Sequence, residues 1–117
     1  MPAKNKPQRL LDVYAPTDTE IPKKLGGGKL KELVKRDART KALLHYSLAY
    51  INPLATSRDD GRVLGYDNSH GYQHRHFLGE VTRMPLMRYE DIVTLFERQW
   101  RTLALQHVNN EPLDLIP

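Results

Sequence analysis

The chain has 117 residues, 39% of them hydrophobic, a mean hydropathy of −0.62 and no cysteine, which suits one small domain with a modest core. The missing cysteine excludes disulfides, thiolate metal sites and thiol nucleophiles, and leaves histidine, carboxylate, arginine and tyrosine as the available chemistry. The net charge of +4 is unevenly spread: residues 1–41 hold all eight lysines and three arginines against five acids, a net +6, whereas residues 42–117 hold seven arginines against nine acids, a net −2.

Met1 to Gly28 carries four of the eight prolines and ends in Gly26-Gly27-Gly28, with apolar residues too sparse for either periodicity. It is expected to be a flexible basic arm, extended or disordered, with Leu10 to Tyr14 as its one sticky piece. Such an arm suits a polyanion or an acidic partner, and its removal is expected to weaken that contact while leaving the melting temperature unchanged. Lys29 to Arg39 follows with Leu30, Leu33 and Val34 at helical spacing, which predicts a short cationic amphipathic helix.

From Ala42 to Ile51 the pattern alternates, with Leu44, Tyr46, Leu48 and Tyr50 on one face, and predicts a strand stopped by Pro53. A loop through Thr56–Gly61 leads into a second strand at Arg62–Asp67, so the two should pair as an antiparallel hairpin. Asp67 to Gly71 reads as a turn and His74 to Val81 as a third strand. Tyr89 to His107 is the clearest helix, with Ile92, Val93, Phe96, Trp100, Leu103 and Ala104 on one face and Glu90 and Asp91 in its first turn. Val108 to Pro117 is expected to fray.

These elements predict an α+β domain over residues 29–107, in which a small, mainly antiparallel sheet of about three strands packs on the C-terminal helix, with the Lys29–Arg39 helix as a second layer. So small an open sheet exposes its edges, which favours a homodimer or a tight complex. No apolar run approaches the roughly 20 residues that span a bilayer, and the N-terminus lacks the apolar stretch of a signal peptide, so a cytoplasmic protein without a membrane partner is expected.

The densest chemistry lies between Gly65 and Phe77, where His70, His74 and His76, three of the five histidines, stand with Arg75, Asp67, Tyr66 and Tyr72. Histidine, with an unperturbed pKa of roughly 6.5, exchanges protons near neutral pH. Cleavage of RNA without a metal or cofactor needs a base for the 2′-hydroxyl, an acid for the departing 5′-oxygen and a cation for the phosphate. His74, His76 and Arg75 are those residue types. On a strand the histidines share one face and Arg75 points to the other, whereas in a turn all three converge. Asp67 would orient one imidazole, while Tyr66, His70 and Tyr72, with Lys29, Lys31, Lys35 and Arg36, would contact substrate. Asp67, His70, His74 and His76 are also the residue types of a zinc, nickel or copper site, but their spacing matches no established pattern and Arg75 would repel a cation. His45, Trp100, Phe96 and His107 read as sheet, core and helix-end residues.

The run Asp60 to Gly71, followed by His74-Arg75-His76 and by Tyr89-Glu90-Asp91-Ile92 opening a helix, resembles the TumE-like family of small prokaryotic toxins. Members share an Asp-Asn pair, here Asp67-Asn68, then His-Arg-His. The resemblance covers about Leu43 to Leu103, leaves out the lysine-rich N-terminal segment, and implies the toxin of a type II toxin–antitoxin module whose antitoxin resembles a helix-turn-helix protein. A different class of function is a non-enzymatic module that grips nucleic acid or a partner protein through the basic arm.

Overall fold

The computed structural model describes residues 11–116. It is α+β, with one antiparallel sheet of six strands among the described residues and a C-terminal helix. The strands are β1 (Leu11–Glu20), β2 (Lys29–Asp37), β3 (Leu43–Ile51), β4 (Arg62–Asp67), β5 (His74–Phe77) and β6 (Glu80–Arg83), each pairing with the next in chain order, followed by α1 (Tyr89–Val108).

The sheet has six strands and not three because three segments read otherwise are strands. Lys29–Asp37 is β2, not a helix. Its sequence supports both periods: Leu30 and Val34 lie four apart for a helix, yet both also fall on the even face of a strand. The register decides, setting Leu30 opposite Tyr50 and Val34 opposite Tyr46 on the buried face. A lone helix of this length is marginal, whereas the strand gains a ladder on both sides. Leu11–Glu20, expected in the arm, is β1 at the sheet edge; residues 1–10 of that arm lie outside the described residues. Ile21 then enters the core, and the Gly26 carbonyl accepts a bond from Asn52 Nδ2 at 2.9 Å. A side chain at Gly26 would collide with Ala104 of α1. The third strand read from His74 to Val81 is a hairpin, split at Leu78 (φ 49°) and Gly79 (φ 86°), where two left-handed residues make the tight connection. Leu78 tolerates that conformation because its side chain packs against the core.

Tyr46, Leu48 and Tyr50 of β3 and Leu64 and Tyr66 of β4 meet Ile92, Phe96, Leu103 and Ala104 of α1. Gln99 sits at the centre of this helix face, taking the Tyr66 hydroxyl at 2.5 Å and donating to the Ile116 carbonyl at 2.6 Å. The C-terminal segment therefore folds back on α1 and does not fray: Leu113 and Leu115 pack against the core, and Gln106 brackets Asp114.

Tyr46 is fully buried and its hydroxyl has no hydrogen-bond partner among the described residues; burial, with a smaller push from Asp67, raises it to about 12. The unfolded phenol ionises near pH 10, so between pH 10 and about 12 the folded state holds the extra proton and stability falls, by about 3 kcal/mol for this group. Tyr46→Phe should leave stability at pH 7 unchanged or higher, since no bond is lost, and should flatten the alkaline decline. Urea denaturation at pH 7 and pH 11 checks this; a variant weaker by more than 1 kcal/mol at pH 7 would assign the hydroxyl an unseen partner.

Candidate active site

Antiparallel register sorts the notable side chains onto two faces. Asp67 stands directly opposite His74, and His76 opposite Gly65, all on the face away from α1. Arg75 alternates to the helix face, opposite Tyr66. The His-Arg-His segment is thus a strand, and its arginine does not join its histidines. Arg75 instead lies beside the Tyr66 hydroxyl, and its partly buried charge opposes the upward push that burial exerts on that phenol. Tyr66 is core and meets no solvent, so its expected base contact is not made.

Asp67 is the hub. Its Oδ2 accepts from His76 Nε2 at 2.8 Å, its Oδ1 lies 3.4 Å from His74 Nδ1, and Oδ1 also accepts the Ser69 amide at 3.0 Å. Burial pushes the carboxyl up, but the Ser69 amide, His76 and the Ser69 hydroxyl together outweigh it and hold Asp67 below the usual carboxylate range. The neighbouring Asn68 has a different task, accepting the Tyr46 amide at 2.9 Å and so tying the end of β4 to β3. The Asp-Asn pair places one side chain in the cleft and uses the other to hold the strand that carries it.

The arginine at the histidines is Arg62. Its Nη2 lies 3.1 Å from His76 Nδ1, and its Nε donates to Asp59 Oδ2 at 2.7 Å. Arginine only donates, so Nδ1 of His76 accepts and Nε2 carries the proton given to Asp67. Two features bring Arg62 there. The β3–β4 register slips between Tyr50 and Ile51, setting Arg62 opposite Ile51 and onto the histidine face. A side chain at Gly65 would come within 3.0 Å of Arg62 Cδ, so the bare glycine leaves the track along which the guanidinium reaches His76. The glycine inside a strand was the available signal, because such a residue marks close approach. The slip has none.

Tyr72 packs on His74 with ring centroids 4.2 Å apart, and the Arg83 guanidinium lies 4.5 Å from the Tyr72 centroid. Arg83, opposite His74 in β6, escaped the sequence reading because that strand did. Together Arg62, Asp67, Ser69, His74, His76 and Val81 line a cleft of about 310 Å³. Lys29, Lys31 and Lys35 of β2 project from the same face of the sheet, whereas Arg36 turns to the helix side, over the Tyr89 ring. His70 falls in the Ser69–Gly71 turn, and its side chain lies outside the described residues.

Chemically the cleft offers a carboxylate between two imidazoles, with the Arg62 guanidinium on the far nitrogen of His76. Among the described residues no group of three or more His, Asp or Glu side chains is arranged to hold a metal ion, and the Arg62 guanidinium occupies the imidazole nitrogen that a cation would seek. No known protein family, no curated protein and no solved structure matches the chain.

Proposed function

We propose that this chain is the toxin of a type II toxin–antitoxin module and cleaves RNA by acid–base chemistry in the cytoplasm, with a helix-turn-helix type antitoxin as its partner. The observation that carries the reading is the Asp67 carboxylate bonded to His76 and facing His74, with Arg62 on the far nitrogen of His76. Asp67, His74 and His76 come from the Asp-Asn and His-Arg-His segments of the TumE-like resemblance, on two adjacent strands, while Asn68 and Arg75 of those segments lie elsewhere.

A phosphodiester is a stronger acceptor than an imidazole lone pair, so bound RNA draws Arg62 from His76 onto the phosphate. The freed Nδ1 takes the proton of the 2′-hydroxyl, and Asp67 holds the resulting imidazolium. The 2′-oxygen bonds to phosphorus, the bond to the 5′-oxygen breaks, and His74, acting as the acid, gives that oxygen its proton. Arg62 carries the charge that builds on the phosphate. The products are a 2′,3′-cyclic phosphate and a 5′-hydroxyl.

Induced expression without a partner should arrest growth and produce RNA ends of that kind, and His74→Ala or His76→Ala should relieve the arrest. Growth curves and end-specific ligation of cellular RNA read both. Arrest undiminished in both folded variants would remove the histidines from the mechanism, and cleavage abolished by chelator and restored by stoichiometric zinc or manganese would replace acid–base chemistry with metal chemistry.

A further inference from the structure

We propose that the histidine face of the sheet is a track for single-stranded RNA running across the strands, on which Lys31 and Lys35 hold phosphates remote from the cleft. The inference rests on the ribonuclease reading of the cleft and extends it to the form of the substrate. Two rows of side chains cross the sheet. One runs Lys31, Ala49, Gly65, His76, and the next runs Leu33, Ser47, Asp67, His74, Arg83. Lys31 and His76 are three strands apart, roughly 14 Å at about 4.8 Å per strand, too far to grip one phosphate and therefore useful together only on a polymer.

The ground between them is low. Ser47, Ala49 and Gly65 floor it, and Ser47 also borders a depression of about 410 Å³ lined by Pro16, Thr17, Asp18, Lys31, Glu32 and Leu33. Because Ser47 pairs with Asp67, that depression adjoins the histidine cleft across one strand pair. Charge marks the same face of the sheet. Lys29 is tied to Asp18 at 3.7 Å and Arg62 to Asp59, whereas Lys31 and Lys35 have no carboxylate within ion-pair distance among the described residues.

The depth of the cleft selects a single strand. Asp67, His74 and His76 are recessed, with side chains only 13%, 10% and 16% exposed, so a phosphodiester must bend inward to reach them; a stacked duplex resists that bend. Tyr72, the exposed ring beside the cleft, packs against His74 and the Arg83 guanidinium. Lysines that grip phosphates read no base edge, so sequence preference should be weak.

Fluorescence anisotropy with the full chain and a short 2′-O-methyl oligoribonucleotide, which binds without being cleaved, tests this. The wild type should bind the single strand at least tenfold more tightly than a duplex of the same sequence. The double variant Lys31→Gln/Lys35→Gln, with unfolding checked by circular dichroism, should bind about tenfold more weakly and lower the slope of log affinity against log salt by about 1.4, or about 0.7 per lost phosphate contact. An unchanged slope, a duplex bound as tightly, or a polyglutamate peptide bound as tightly as RNA would overturn the proposal, the last by giving the face to an acidic protein segment. Binding as expected in a protein that cleaves no RNA would sink the ribonuclease reading and leave the track standing.

Discussion

Asp67→Asn should lower RNA cleavage by about 10³- to 10⁴-fold and abolish growth arrest while the fold persists. The amide keeps the shape and the capacity to accept from Ser69, but it has no charge with which to stabilise the imidazolium that forms at His76 during the reaction. It also presents a donor where both oxygens now accept, so at least one of the two histidines must turn or change tautomer. The stability cost is smaller, about 1 to 3 kcal/mol for a charge-assisted bond in a partly buried site. The same substitution should remove one source of acid sensitivity: because the folded carboxyl is held below its unfolded value, its contribution is present above the ordinary carboxylate range and is lost as pH falls through the folded value. Single-turnover cleavage and urea denaturation, each over pH 3 to 8, separate the two effects. Cleavage within tenfold of wild type would mean that Asp67 only braces the turn.

Removal of residues 1–28 should unfold the domain or cost it more than about 3 kcal/mol, against a total stability of about 5 to 15 kcal/mol for a protein of this kind. This reverses the expectation that a truncated chain would melt unchanged. Ile21 is only 7% exposed, and burial of such a side chain contributes about 1.5 to 3 kcal/mol. Asn52, buried beside Tyr50, would lose the Gly26 carbonyl, leaving a buried amide donor short of a partner at a further cost of about 1 to 3 kcal/mol. Strand β2 would become an open edge. Ile21→Ala, a milder probe of the same packing, should cost about 2 to 4 kcal/mol. Thermal melts of the three proteins decide it; a truncated chain melting within about 2 °C of the full one would return this segment to the role of an appendage.

Strands β3 and β4, helix α1 and the central residues of the cleft are legible in the sequence. Leu44 to Tyr50 alternates, Pro53 and Gly61 punctuate, and Ile92, Phe96 and Leu103 repeat at helical spacing; these are local signals, set by backbone geometry within a few residues. Asp67, His74 and His76 stood out because few residue types move protons near neutral pH, and chemistry of that kind is legible without coordinates. Tertiary structure alone decided which way the ambiguous segments went. Lys29–Asp37 carries both a helical and a strand pattern, and only the ladders offered by β1 and β3 select between them. It also decided the arginines. Arg75 is adjacent in sequence to both histidines, and the period of two sends it through the sheet to Tyr66; Arg62 is fourteen residues from His76, and a one-residue slip of register beside a bare glycine lays it against that ring. Register is a property of two strands at once, so no reading of either strand alone contains it.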